Sequence, residues 1–340
     1  MNVEIRGSGV AALCSAHLLT RAGLRVSMEE ASRPKLPVVM LSGPSLALMH
    51  DVFGDLSCLA TLPRIRRRVV AWGQGAEAVT MPHSAVVASE DTLLRLFAGS
   101  LRTATESTAD WTILAAPPAD RLTPGHCFGD RRAKVAAVTL RADSPSDACW
   151  VESIESGWLF LIPNAPQRGY LLAVGDEFGT MFGKSRLVAG QVDQVESVSG
   201  EFPAHPRIHW PLCGPGWLAC GTAAMAFDPL CGDGVAHAVR EAILAAAVVR
   251  AISRGADEQS LLAHYRARMA AGLARHLRLA GEFYQSGHQN TWWTSQLAAM
   301  RRGEDWCAQV VSESVIGQTE GKAKFQYQLD GFDLRPAAYA

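Results

Sequence analysis

Val3-Glu4-Ile5-Arg6-Gly7-Ser8-Gly9-Val10-Ala11-Ala12 decides the architecture of this chain within its first residues. Val3 and Ile5 alternate with polar neighbours, as in a short half-buried strand, and the chain then breaks into a glycine turn. From Val10 the pattern is helical, with Leu13, Ala16, Leu18 and Leu19 apolar and Gly23 placed to end the helix. Leu24 to Met28 reads as a second strand. Strand, glycine turn, helix and strand within about thirty residues is the context that gives a G-x-G-x-x-A run its meaning. Gly7 permits the tight turn, Ser8 lies within it, and Gly9 lets the backbone approach a pyrophosphate. Ala12 lets the helix pack close to the strand. The helix N-terminus then offers unpaired N–H groups and partial positive charge to the phosphates. Glu30 follows Gly7 by 23 residues, close to the ~20 expected of the carboxylate that receives ribose hydroxyls. Glu29 competes with it, and strand parity decides between them.

A second glycine segment lies more than two hundred residues downstream: Asp228-Pro229-Leu230-Cys231-Gly232-Asp233-Gly234, followed by an apolar helix pattern from Ala236 to Ile252. A simple NAD dehydrogenase explains the first segment and leaves this one without a purpose. The two together point to a dinucleotide held at both ends, and so to FAD.

Composition supports a folded enzyme-sized chain. Its 340 residues exceed one typical domain, and 48% hydrophobic with 19% charged residues excludes a disordered chain. A net charge of −1 provides no global attraction for nucleic acid or an anionic membrane, so neither is expected as a partner. Arg64, Arg66, Arg67 and Arg68 form the one notable basic cluster; it reads as a solvated strand edge, with an acidic substrate or partner as the alternative. The N-terminus carries the dinucleotide motif and is not read as a signal peptide. The Ala236–Ile252 helix contains His237, Arg240, Glu241 and Arg250, which marks it as buried within protein and not within a bilayer. Eight cysteines show no C-x-x-C pair and no disulfide spacing, the expectation for reduced thiols in a cytoplasmic protein, and no metal-binding spacing is present.

After the first unit, Ser45–Phe53 and Glu90–Leu101 are predicted helices, the latter capped by Ser89, while Arg68–Trp72 and Thr112–Ala116 are predicted strands. Lys134–Leu140, Cys149–Ile154, Gly157–Pro163 and Gly169–Val174 read as four strands of an antiparallel sheet. Trp217–Cys220 returns as a short strand before the Asp228 turn. No second strand–glycine–helix unit appears, hence no separate NAD(P)H domain. The C-terminal third is helical, with Leu261, Leu262, Tyr265, Met269, Leu273 and Leu277 on one face. Trp292, Trp293 and Trp306 lie beyond it among arginines, as a helical lid or a docking surface for a macromolecular substrate. Phe325, Tyr327 and Leu329 alternate, the pattern of an added edge strand.

The order Gly7-x-Gly9-x-x-Ala12, Glu30, Trp217–Gly221 and Asp228-Pro229-x-x-Gly232-x-Gly234 resembles the FAD-dependent monooxygenases of the p-hydroxybenzoate hydroxylase type, whose fold the flavin halogenases share. Gly157-Trp158-Leu159-Phe160-Leu161-Ile162-Pro163 is similar to the halogenase W-x-W-x-I-P signature, with Phe160 for the second tryptophan. The run from Ala223 to Gly234 is similar to that of flavoproteins that modify peptidyl tryptophan in tryptophylquinone biogenesis. The resemblance implies an α/β fold: an FAD-binding Rossmann-type domain interleaved with an antiparallel β-sheet substrate domain and a C-terminal helical region. The expected division is residues 1–130 and 211–252 for FAD, 131–210 for substrate, and 253–340 for the helical region and tail.

It also implies chemistry. Reduced flavin and dioxygen would form a C4a-hydroperoxide that hydroxylates an aromatic group, a small molecule or a tryptophan within a peptide or protein. A separate flavin reductase or an NAD(P)H donor would supply electrons. Asp228, Pro229, Gly232 and Gly234 would turn the chain at the flavin ring and present N–H groups to its pyrimidine oxygen. Trp72, Trp158 and Phe160 are candidates for the pocket wall. Two positions depart from the family pattern: Thr222 stands where an aspartate usually meets the ribityl chain, and Glu90-Asp91 where a flavin-contacting arginine is usual. Both bear on how firmly FAD is held. The alternatives are a halogenase or oxidase of the same fold, or a degenerate flavoprotein acting as scaffold or chaperone. Halogenation needs a lysine, and Lys35, the only one early in the chain, reads as part of a loop, Arg33–Pro37, beside the adenosine end. No catalytic histidine constellation is visible, and Cys231 reads as a small residue filling a bend.

Overall fold

In the computed structural model of the chain, residues 1–31, 34–98, 108–117, 123–313, 317–319 and 322–337 are described. The first unit is β1 (Asn2–Arg6), α1 (Val10–Arg21) and β2 (Arg25–Glu29). Gly23, at φ +81°, closes α1 while the Leu24 N–H reaches back to Leu19 O at 3.1 Å. β3 (Val39–Ser42) runs into α2 (Gly43–Phe53), and Ser42 caps it by accepting from the Ser45 N–H. β4 (Arg64–Ala71) and β5 (Val79–Ala88) are antiparallel neighbours. α3 (Glu90–Ala98) is capped by Ser89, whose Oγ accepts from the Thr92 N–H. The remainder of the expected Glu90–Leu101 helix lies outside the described residues, as does Arg33 of the Lys35 loop. β6 is Trp111–Leu114 and β7 is Thr123–Cys127.

The middle of the chain supplies β8 (Arg132–Leu140), β9 (Ala148–Ile154), β10 (Gly157–Ala165) and β11 (Arg168–Gly175), each within a few residues of its predicted span. Then come α4 (Phe178–Lys184), β12 (Val192–Val198), β13 (Phe202–Pro203), β14 (Arg207–Trp210), β15 (Cys213–Gly214), β16 (Trp217–Ala219) and β17 (Met225–Ala226). Three helices follow: α5 (Gly234–Ser253), α6 (Glu258–Gln285) and α7 (Thr291–Ser312). Two small hairpins, β18 (Gly317–Thr319) with β19 (Lys322–Lys324) and β20 (Tyr327–Asp330) with β21 (Asp333–Pro336), end the described chain.

Two sheets organise these elements. The first has the order β15-β16-β6-β1-β2, in which β16, β6, β1 and β2 are mutually parallel. The chain leaves β1 toward β2 and later returns through β6 on the other side. The strand order therefore reverses beside β1, and a crevice opens at the carboxyl ends of β1 and β6, where such sheets take ligands. α1 and the alanine-rich α5 pack together against this sheet; their buried small residues, Ala12, Ala16, Ala242, Ala245 and Ala246, permit close approach.

The second sheet has nine strands on the path β12-β8-β11-β10-β9-β4-β5-β3, with β13 also paired to β8. All its pairings are antiparallel except β4 with β9. β10 alternates between two interiors. Trp158, Phe160 and Ile162 face the main core shared with the first sheet, and Leu159 and Leu161 face a second core under α4 with Met181 and Val188. Burial on both faces explains why β9 and most of β10 read as continuous apolar runs.

Three sequence expectations are corrected. The strand read as Arg68–Trp72 spans Arg64–Ala71, and it is no edge, since β9 and β5 flank it, although Arg64, Arg66 and Arg67 are solvent-exposed as expected. Its strand partner β5, together with β3, was not anticipated, because Pro82 interrupts one and a glycine-proline pair follows the other. The tail strand β20 pairs only with β21 and extends neither large sheet. No described helix is long and apolar enough to cross a membrane.

Candidate functional site

The crevice leads into a cavity of about 430 Å³. Gly9, Val10 and Ala11 of the first glycine segment line it, with Gly221 and Thr222, and Asp228, Pro229, Gly232 and Gly234 of the second segment line it as well. Two segments separated by more than two hundred residues thus border one space. The second sheet closes it with Phe160, Ile162, Tyr170 and Leu172, and the loop before β3 contributes Leu36 to Val38. Most of this surface is apolar.

In the first segment, Gly7 takes φ +135°, and an added Cβ there would lie 3.0 Å from the backbone of Ala115 and Ala116. Its N–H donates to Glu29 O at 2.8 Å, and Ser8 Oγ donates to Ala31 O at 3.1 Å, so the turn is pinned to the end of β2. The first helical bond of α1 runs from the Leu13 N–H to Gly9 O. The N–H groups of Val10, Ala11 and Ala12 therefore have no helical acceptor and form an anion-binding end. Ala12 itself is fully buried. Glu29 pairs with Arg6 Nε at 3.1 Å and Glu30 stands just beyond the strand; both are exposed, and neither is among the residues that line the cavity.

In the second segment, a single tight turn at Pro229–Cys231 precedes Gly232, which adopts the left-handed conformation (φ +65°, ψ 18°). This swings the chain into α5. The Asp228 side chain points away from the cavity into a buried cluster. Its Oδ1 accepts from the Leu230 N–H at 2.9 Å, and Oδ2 accepts from Tyr284 OH at 2.9 Å. Arg131 Nη2 lies 2.9 Å from Oδ2, and both side chains are wholly buried. Arg131 also donates to Gln296 Oε1 and lies 4.8 Å over the Tyr284 ring. The Asp228 N–H donates to His276 Nε2 at 2.9 Å, which requires a neutral imidazole. Burial accordingly lowers the His276 pKa to about 4. His237 stacks on Phe227 at 3.8 Å, and burial, then the neighbouring His276, lowers it to about 3. Neither histidine is placed as a base near neutral pH. Cys231 is no nucleophile, since burial pushes its thiol up to about 12.

Trp158 and Trp72, expected on the pocket wall, do not reach the cavity. Trp158 is fully buried one step along β10 from Phe160, and its indole N–H donates to Tyr284 OH at 2.9 Å. Trp72 packs edge-on against Trp293 at 5.3 Å, and its N–H donates to Phe283 O. Both serve as packing between the second sheet and α6 and α7. Phe160 lines the cavity. The Trp292–Trp293 pair belongs to the same aromatic layer, with Trp293 buried.

Arg131 and Glu241 were not singled out by sequence reasoning, and Arg68 was named only as one of the basic cluster. Arg68 lies with its guanidinium 5.7 Å over the Phe160 ring and Nη2 3.5 Å from His83 Nε2, behind the cavity wall. Arg131 gave no signal because its carboxylate partner is distant in sequence. Glu241 is buried, lines the cavity, and accepts from the Gly221 N–H at 2.7 Å. The departures from family pattern also have places. Thr222 Oγ1 donates to Ala115 O at 3.3 Å. Glu90 is buried and accepts from the Leu36 N–H at 2.9 Å while its own N–H donates to Leu36 O, which clamps the cavity-lining loop. Lys35 and Arg95 both pair with Asp91 at the surface. Among the described residues no cluster of histidine, cysteine, aspartate and glutamate could hold a metal.

No protein-family model matches the chain, and no curated protein matches it. Solved structures do. The peptidyl tryptophan dihydroxylase QhpG, essential for tryptophylquinone cofactor biogenesis, superposes with a TM-score of 0.72 at 19% identity, over 86% of this chain and 78% of QhpG. The flavin-dependent halogenase CmlS gives a TM-score of 0.73 at 16% identity, over 94% and 73% of the two chains. HpxO of Klebsiella pneumoniae, solved in complex with FAD, gives 0.59 at 17% identity over 92% and 95%. The chain has the α/β fold of these flavin-dependent hydroxylases and halogenases.

Proposed function

We propose that the protein is an FAD-dependent monooxygenase that hydroxylates an aromatic group. The observation that carries the reading is the meeting of the two glycine segments on one largely apolar cavity. On this reading Gly7, Ser8, Gly9 and Ala12 receive the diphosphate at the α1 N-terminus, and Glu30 takes the ribose. Thr222 lies along the ribityl chain, and Pro229, Gly232 and Gly234 hold the ring end, braced by Asp228 from behind. Residues 1–130 and 211–252 carry the cofactor, residues 131–210 the substrate face, and residues 253–340 the bracing helices.

The residues present fit such a group. Unpaired N–H donors face the diphosphate end, while aliphatic and aromatic side chains surround the ring end. Bound FAD supplies the oxygen-transfer chemistry. The chain's own part is to bind, orient and keep dry. Phe160, Ile162 and Leu172 exclude water from the reacting face, and the backbone donors at the start of α5 favour negative charge on the ring. A separate reductase or NAD(P)H delivers electrons. A peptidyl tryptophan is the finer substrate reading, supported by the likeness to QhpG. Halogenation is disfavoured by the surface pairing of Lys35 with Asp91.

Adding FAD to the purified protein tests this directly. Uptake of one flavin should appear as yellow colour, and saturation at about 100 times Kd should add about 2.7 kcal/mol of stability. A colourless protein that FAD does not stabilise sinks the enzymatic reading and leaves the scaffold. With FAD bound, oxygen consumption with free and peptidyl aromatics then separates the substrates.

The two aromatics on β10 should also part company. Trp158→Phe removes the donor to Tyr284 and is expected to cost about 1–2 kcal/mol in urea unfolding. Its FAD dissociation constant should change less than about twofold, because the side chain is outside the cavity. A larger loss of affinity than of stability would return Trp158 to the pocket.

A further inference from the structure

Glu241 is the cavity group that the proposed reaction does not use. It sits two turns into α5, 6% exposed, beside Gly9, Val10, Ala11, Gly221 and Thr222. Its Oε2 accepts from the Gly221 N–H at 2.7 Å. The groups packed around it are uncharged. Cys220, at the end of β16, and Tyr265 of α6, whose hydroxyl is turned to Ala219 O at 2.6 Å, lie near it; Cys14 and Ser15 of α1 lie against Cys220 in turn. Neighbouring charges are spoken for elsewhere: Arg240 pairs with Asp233 at 3.0 Å, which also accepts from Ser45 of α2, and Arg250 pairs with Asp333 of β21. The cavity's other carboxyls are Glu90, which accepts from the Leu36 N–H, and Asp228, which is paired with Arg131. No cation bears on Glu241, and burial pushes its carboxyl up to about 8.

A neutral carboxyl has a hydroxyl to donate. One oxygen is already engaged by Gly221, and the cavity wall nearby is Val10, Ala11, Val235 and Ala238, which accept nothing through their side chains. A ligand filling the cavity would offer such an acceptor. The anion-binding N–H groups of α1 border the same cavity.

We propose that Glu241 binds the cofactor in its protonated form, donating its carboxyl proton to a diphosphate oxygen. This rests on the FAD reading and adds a pH-gated contact to it. An ionised Glu241 would instead set a buried negative charge beside the diphosphate. Affinity is therefore full below the carboxyl pKa of the free protein and falls as pH rises through it, about tenfold per unit. If Glu241 only caps the Gly221 N–H, ligand affinity carries no such dependence.

The test is FAD affinity, read by flavin fluorescence from about pH 6 to about pH 9.5, for the wild type and Glu241→Gln. Gln keeps an acceptor for Gly221 and an N–H donor, and cannot ionise. The wild type should bind evenly to about pH 8 and about tenfold more weakly at about pH 9, while Glu241→Gln should stay level. ADP, which has the diphosphate and no flavin, should share the wild-type decline. Parallel profiles in the two proteins, or a decline with FAD that ADP lacks, would overturn the proposal and leave the FAD reading standing. Failure of FAD to bind either protein at any pH would overturn both. Should Glu241→Gln not fold, calorimetry of the wild type at about pH 8.5 in buffers of different ionisation enthalpy serves instead. Uptake of more than about half a proton per FAD is expected, and no uptake rejects the contact.

Discussion

Asp228→Ala is expected to lower stability by about 3–5 kcal/mol, which makes it the most damaging single change at the site. Arg131 and Asp228 lose all side-chain exposure, so the pair is held together by contacts and not by solvent. Removing the carboxylate strands the guanidinium in a dry interior. It also leaves Tyr284 OH and the Leu230 N–H without their acceptor. The effect should reach the cavity, because Leu230 lies in the turn that aims Gly232. FAD affinity should therefore fall with stability, although Asp228 makes no contact through its side chain to the cavity. A second measurement separates charge from shape. Combining Asp228→Asn with Arg131→Met removes both charges and should recover at least about half of what Asp228→Asn alone loses. Urea unfolding of the three variants gives the comparison. A cost below about 1 kcal/mol for Asp228→Ala would show that the pair does not brace the turn.

Gly7→Ala carries the second-largest expectation, a loss of about 2–4 kcal/mol together with FAD binding weakened beyond about tenfold. Two costs add. Alanine resists φ +135°, and its Cβ would press on the Ala115 carbonyl carbon and Ala116 nitrogen at 3.0 Å. Those atoms are backbone at the carboxyl end of β6 and cannot swing aside. Relief must come from shifting β1 against β6, which moves the N–H groups of α1 away from the diphosphate. Gly23→Ala is the control: its φ of +81° imposes the conformational cost, while no atom lies within 4 Å of the added Cβ. It should lose about 1 kcal/mol and leave FAD affinity intact. Equal effects of the two substitutions on FAD would remove the special role of the first turn.

Much of the site was legible because glycine and proline write backbone geometry directly into the sequence. Gly7, Gly9, Gly232 and Gly234 could be placed from local pattern, and the structure brings Gly9, Gly232 and Gly234 to one cavity. Naming Trp158 and Phe160 together as pocket candidates picked two residues on one face of β10, of which only Phe160 lines the cavity. Strand alternation could not say that α6 and α7 cover the Trp158 end of β10 and leave the Phe160 end open, since helix docking is not encoded by periodicity. The arginine cluster is solvated at Arg64, Arg66 and Arg67 as expected, but its place in the sheet was missed for a related reason. Local charge suggested a solvated edge, and pairing with β9 and β5 put Arg68 behind the cavity wall instead.

The sequence by itself determined the first βαβ unit, the flavin-end turn and the antiparallel middle sheet, because each depends on residue types within one short segment. Only the tertiary structure decided which side chains are charged, covered or free to meet a ligand. Asp228 acquires Arg131 and Tyr284 from segments about a hundred and about fifty residues away. Glu241 is left among thiols and aliphatic groups with no cation in reach. A carboxylate's solvent, partner and proton are properties of its surroundings, and those exist only when the distant segments have packed.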